Sequence, residues 1–186
     1  MELYEGIDAD KTVFAGLDKA GKSSIILGLQ KELSQIASIK PTRMADRKIF
    51  DFVGKKIAAW DLGGQESYRE KYLENPQNYF DQTRYFIHVI DIQDAERFDE
   101  SLQYLQKIHV ILKDFELNPV VSVFLHKSDP DYTEQINNNE QKSVYKLRND
   151  IERVIGDSSS VKFYRTSIYK LFSITSAFTR VVKNTR

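Results

Sequence analysis

The 186-residue chain carries 27 Lys plus Arg against 27 Asp plus Glu, is 41% hydrophobic and has no cysteine. These values suit one globular domain with a sizeable core, and they exclude disulfides, thiolate metal sites, a cysteine nucleophile and bulk charge attraction to nucleic acid. No apolar run nears the ~20 residues that span a bilayer; Met1 to Glu5 forms no signal core, and Glu2 stands where myristoylation needs glycine, so a cytoplasmic protein with at most indirect membrane association is expected.

Residues 1–10 read as a short acidic lead. Thr12-Val13-Phe14-Ala15 is an apolar run that predicts a buried strand over 11–15. Gly16 to Ser23 then reads G-x-x-x-x-G-K-S, the phosphate-cradling loop of P-loop nucleotide hydrolases. Ile25, Ile26, Leu29 and Leu33 recur at helical spacing and predict a helix to about Gln35. Pro41 makes 37–44 a loop. Two strands, 47–52 and 55–60, flank a tight turn at Val53-Gly54. The polar, aromatic stretch 66–81 reads as partly helical. Residues 84–92 form a near-continuous apolar strand covered on both faces. An amphipathic helix over 97–115 and a buried strand over 119–125 follow. Residues 129–141 read as a polar loop, with Asn137, Asn138 and Asn139 simply solvated. A helix over 143–155 ends near Gly156; a strand over 160–164 and a helix over 168–182, its apolar stripe packed on the sheet, close the chain. The alternation predicts a single α/β domain over 1–186: a mostly parallel six-stranded sheet with helices on both faces.

Ligands of such a sheet sit at the carboxyl ends of its strands, and chemistry-bearing residues cluster there. In the phosphate loop, backbone amides from Asp18, Lys19, Ala20 and Gly21 into the helix start at Lys22, Ser23 and Ser24 point at phosphates. Lys22 adds a full charge, and Ser23 offers a hydroxyl to Mg²⁺. Asp61 follows Ile57-Ala58-Ala59-Trp60 and can hold Mg²⁺; Gly64 lets an amide approach the γ-phosphate, and Gln65 can orient a water. Thr42, in the loop before the hairpin, can add a second hydroxyl to the metal. His126-Lys127-Ser128-Asp129 follows the strand ending at Leu125, and K-x-D there is a guanine-reading spacing. Asp129 would accept from the ring N–H and exocyclic amine, a donor pair adenine lacks. Beyond the last strand, Ser167-Ile168 can present a backbone N–H to the guanine carbonyl.

With these residues in place the chain resembles the Ras superfamily of small GTPases, and within it the Arf and Arf-like branch. Gly16 to Ser24 looks like that branch's G-L-D-x-A-G-K-[ST]-[ST], Trp60 to Glu66 like its W-D-x-G-G-Q-[DE], and Pro41-Thr42 like its P-T. His126 to Asp129 and Phe163 to Ile168 also resemble the H-K-x-D and F-x-R-T-S-I of Rag/Gtr GTPases, a mixture that fits an early-branching or archaeal relative. The chain ends where a Rag protein would continue into a dimerising domain, so a Rag-type dimer is not expected. The resemblance implies a switch that binds GTP and GDP with Mg²⁺, hydrolyses GTP slowly and serves signalling or membrane trafficking. It also implies GTPase-activating, exchange-factor and effector partners. A non-catalytic, Rag-like GTP-binding module is the alternative. The chain departs from the Arf pattern at Ala45, where Phe is usual beside Trp60 and Tyr79, and at His126, where most relatives carry Asn; altered nucleotide affinity is expected from the latter. Arg43 and Arg69 read as surface residues, so no arginine finger is identified.

Overall fold

The computed structural model describes residues 8–135, 137–156 and 161–183. Its strands are β1 (Asp10–Ala15), β2 (Ala45–Phe52), β3 (Lys55–Leu62), β4 (Tyr85–Asp91), β5 (Val120–His126) and β6 (Lys162–Arg165). They form one sheet in the order β2-β3-β1-β4-β5-β6, with only β2 antiparallel to its neighbour. The helices are α1 (Lys22–Gln30), α2 (Glu66–Glu74), α3 (Pro76–Phe80), α4 (Phe98–Asp114), α5 (Pro130–Gln135), α6 (Asn138–Ile155) and α7 (Leu171–Lys183).

The central strands β1, β4 and β5 are mostly apolar because both faces are covered, with Thr12, His88 and Ser122 as buried polar exceptions. On one face Val13, Phe86, Ile90 and Val123 pack with Tyr72, Leu105, Ile108 and Ile151 of α2, α4 and α6. On the other, Phe14, Ile87, Val89 and Phe124 pack with Ile25 and Leu29 of α1 and Ile174 and Phe178 of α7. Neighbours in sequence thus serve opposite faces, the period-2 rule of a strand. Phe178 contacts Phe14 and Phe52 at ring-centroid distances of 6.1 and 4.9 Å, and its burial is worth about 1.5–3 kcal/mol.

Several boundaries differ from the sequence expectation. Helix α1 stops at Gln30, where Lys31 turns left-handed (φ 63°) and Glu32 N–H donates to Leu27 O at 2.9 Å. Leu33, expected to extend the stripe, is 40% exposed; a 3-10 turn over Leu33–Ser38, none of whose residues is buried, replaces the helix's end. The expected loop 129–141 instead holds α5 and the first turn of α6. Asn137 is a cap rather than a solvated side chain: it accepts from Asn139 N–H (2.9 Å) and Glu140 N–H (3.0 Å), while Glu140 accepts from Asn137 N–H (3.1 Å). That capping box starts α6 at Asn138. Strand β5 runs on through His126, and α7 starts at Leu171 after a turn closed by Ser167 and Lys170. Residues 1–7 of the acidic lead and Ser160 of the last expected strand lie outside the described residues. Among the described residues no helix is long and apolar enough to cross a membrane.

Candidate functional site

The phosphate loop runs from the end of β1 into α1. Gly16 holds φ 143°, and a Cβ there would stand 2.2 Å from Val89 O, so only glycine fits. Among the described residues the amides of Lys19, Gly21, Lys22 and Ser23 have no acceptor; unpaired donors at a helix N-terminus form an anion cradle. Lys22 is buried, with its Nζ donating to Leu17 O (2.7 Å) and Gly16 O (3.1 Å). Burial pushes its ammonium down to about 8. Asp18 N–H donates to Gly64 O at 3.1 Å, which brings the start of α2 onto the loop.

Three oxygens from three elements meet beside this cradle. Ser23 Oγ donates to Asp61 Oδ2, Thr42 Oγ1 donates to the same oxygen at 3.0 Å, and the two hydroxyls stand 3.0 Å apart. Asp61 is buried at the end of β3; its Oδ1 has no hydrogen-bond partner, and desolvation pushes its carboxyl up. An orphaned carboxylate oxygen among hydroxyls is a donor set for a hard cation, and it fits Mg²⁺. Among the described residues no three His, Cys, Asp or Glu gather, so such an ion would complete its shell from phosphate and water.

Asp18, Lys19, Gly21, Lys22, Ser23, Ser24, Thr42, Gly64, Gln65, His126, Lys127, Asp129 and Ile168 line one cleft of about 520 Å³. Tyr169, Ile39 and Lys40 line it as well, without having been read as site residues. Three expected residues stand outside the lining. Ala20 is buried in the core, Asp61 lies in the adjoining cavity with Arg43, and Ser167 sits 1% exposed behind Asp129. Ser167 Oγ donates to Asp129 Oδ1, and Tyr169 N–H donates to Ser167 Oγ at 3.1 Å. Ile168 N–H has no acceptor among the described residues. His126 is buried, its Nδ1 2.9 Å from Thr166 Oγ1, and burial pushes its imidazolium down to about 4.

The family model for the ADP-ribosylation factor family matches residues 5–185. The chain belongs to the Arf family. It is 37% identical over 115 residues to ADP-ribosylation factor-like protein 3 of Chlamydomonas reinhardtii, covering 61% of this chain and 60% of that protein. It is 31% identical over 129 residues to ADP-ribosylation factor F of Dictyostelium discoideum, covering 69% and 65%. The chain thus spans less than two thirds of either relative's length. The structure of the Arl6 (BBS3) small GTPase from Trypanosoma brucei, with bound GppNp, superposes with a TM-score of 0.71 at 20% identity, over 94% of this chain and 96% of that one. The mammalian SRP receptor gives 0.69 at 15%, over 92% and 99%. Both share the fold: a mostly parallel six-stranded sheet between helical layers.

Against other features of the Arf pattern the structure is specific. Trp60 is 9% exposed, with Arg47, its cross-strand neighbour, 3.5 Å and Lys11 4.0 Å from the ring centroid. Cation–π contact covers the indole instead of presenting it. Arg69 is not a surface residue as expected: it is buried, ion-paired with Glu100 and 5.2 Å from the Tyr104 ring. Gln65 is exposed at the start of α2, and its side chain makes no cap bond. Arg97, unread in the sequence, reaches the phosphate loop: it donates to Asp18 Oδ1 (2.8 Å), Asp18 O (3.2 Å) and Asp94 Oδ2 (2.6 Å). Its place just past a strand's carboxyl end is the one signal that pointed to it.

Proposed function

We propose that this Arf-family chain is one G domain over 1–186, a cytoplasmic GTP-binding switch that hydrolyses GTP to GDP slowly and acts in signalling or membrane trafficking. The observation that carries this reading is the meeting of Ser23, Thr42 and Asp61 oxygens beside the phosphate loop, with Ser23 and Thr42 lining the same cleft as Asp129. Arf-family members are GTPases, which supports it.

Lys22 and the free amides of the loop and helix start hold the phosphates. Ser23, Thr42 and Asp61 hold Mg²⁺, which when bound neutralises charge on the phosphate oxygens. Asp129 accepts from the guanine N–H pair, Lys127 lies along the base, and Ile168 N–H donates to the carbonyl. Gln65, exposed on the cleft wall, orients the attacking water. Thr42 and Gln65 stand on segments either side of the β2–β3 hairpin, so one γ-phosphate orders both and its loss releases both. Those segments are the face offered to exchange factors and effectors. Arg69 and Arg97 are already ion-paired within the fold, so rapid turnover draws on a partner's arginine, worth roughly 10³–10⁵ in rate.

The test begins with denaturing purified protein and identifying what it releases; GDP or GTP in near-equal amount is expected. GDP should bind at least ~10³-fold more tightly than ADP, because adenine offers Asp129 neither of the two donors that guanine presents. In single turnover, Gln65→Leu should slow GTP hydrolysis by roughly 10² with GDP affinity unchanged. Equal affinity for ADP, or unaltered hydrolysis, overturns the reading.

A further inference from the structure

A second segment, Asp91 to Gln93 at the carboxyl end of β4, grips the base-reading loop. Asp91 Oδ2 accepts from Lys127 Nζ at 2.6 Å, and Asp91 Oδ1 accepts from Gln93 N–H at 3.0 Å. That second bond is an Asx-type turn, which aims the Gln93 side chain. Gln93 Nε2 then donates to Lys127 O (2.8 Å) and to Asp129 Oδ2 (3.1 Å). Both protons of the amide are therefore committed to the base loop. Lys127 itself is left-handed (φ 58°), a conformation a lysine holds only when its surroundings fix it; the bond to its carbonyl is one such fixture.

We propose that Gln93 is a specificity-determining positioning residue for the guanine base, acting through Asp129; the inference rests on the guanine-switch reading above. The Asp129 carboxylate is held at both oxygens, Oδ1 by the Ser167 hydroxyl and Oδ2 by the Gln93 amide. A terminal carboxylate torsion is otherwise broad. Held at both ends, its plane is fixed, and each oxygen keeps a free lone pair for one donor of the base. Guanine presents two donors side by side, the ring N–H and the exocyclic amine. Hypoxanthine presents only the ring N–H. A fixed plane accepts both guanine donors at once, whereas a plane held only at Oδ1 swings and satisfies one at the other's expense. Gln93 does not line the cleft; its reach into the site is through Asp129 and Lys127, so it shapes selection at one remove.

The experiment measures GDP, IDP and ADP affinity of the full chain by competition, for the wild type, Gln93→Leu and Gln93→Glu, with thermal unfolding alongside. Gln93→Leu should weaken GDP about tenfold, the size of one hydrogen bond to a charged acceptor, and weaken IDP about threefold or less, so the GDP-to-IDP preference shrinks. Gln93→Glu sets a carboxylate against Asp129 and should weaken GDP further than Gln93→Leu. A wild type without preference for GDP over ADP overturns the guanine reading itself. A wild type that prefers GDP, with a GDP-to-IDP ratio unchanged in Gln93→Leu, overturns the role of Gln93. A uniform loss for all three nucleotides, tracking a lowered melting temperature, does so too, since it marks a structural contact only.

Discussion

The His126 imidazole closes on Gly21: a Cβ built on Gly21 would stand 2.4 Å from His126 Cδ2 and 2.8 Å from its Nε2. The loop after β5 and the loop after β1 are thereby in direct contact through one buried ring. Nδ1 of that ring is anchored to Thr166 Oγ1 at 2.9 Å, so the ring has no room to retreat.

Gly21→Ala should therefore be costly on two counts. The residue holds φ 95°, which strains any side chain, and the added methyl meets the imidazole. Together these predict a loss of about 2–4 kcal/mol. Adding His126→Ala should return the steric share and leave the backbone share. Denaturant titration of the two single variants and the double variant checks this; simple additivity of the losses contradicts it.

Asp61→Asn should move stability and binding in opposite directions. The carboxylate is buried with Oδ1 unpartnered, and burial pushes its carboxyl up, so removing the charge relieves desolvation without altering shape. The nucleotide-free variant is expected to match or exceed the wild type in melting temperature. Its Mg²⁺-dependent gain in nucleotide affinity should fall by about tenfold or more, as expected when a buried group serves a ligand rather than the fold. A drop in both quantities would place Asp61 among the fold's own supports.

Acid should destabilise the fold through two histidines. His126 is held down to about 4 and His88 to about 3, each mainly by burial. His88 bonds Ser101 Oγ through Nε2 at 2.9 Å, with Nδ1 buried and unpartnered. Both are neutral in the fold, whereas the unfolded chain protonates them near 6.5. The unfolded state then binds more protons, so stability is intact above about pH 6.5 and falls as pH drops toward 4 and 3. Each histidine contributes at most about 1.4 kcal/mol per pH unit in that window. Unfolding free energies at pH 7, 5.5 and 4.5 should show the slope, and His126→Asn should remove up to one proton from it. An unchanged slope in that variant would mean that His126 titrates alike in the folded and unfolded states.

The chain was legible wherever one short stretch contained its own explanation. Gly16 to Ser23 announces a phosphate cradle because strand end, turn and helix start are contiguous, and their amides need no distant partner to line up. The apolar runs at Tyr85–Asp91 and Val120–His126 announce buried strands, since a strand covered on both faces has no polar side to alternate. Legibility failed at Leu33, where apolar spacing continues but the side chain stays exposed, and at Asn137, where a cap looks like a solvated asparagine until Glu140 is seen to answer it.

By itself the sequence determined the cradle, the placing of Asp61, Gln65 and Asp129 at strand ends, and the layered architecture, all of which follow from local spacing and periodicity. Only the tertiary structure decided that Arg97 holds Asp18, that Gln93 holds Asp129, that Glu100 buries Arg69 and that His126 meets Gly21. Those pairs are far apart along the chain; Arg97 and Gln93 reach their partners because the strand order sets β4 beside both β1 and β5, while His126 at the end of β5 reaches across the end of β4 to Gly21. Strand order is a property of the whole sheet's packing, and no window of residues encodes it.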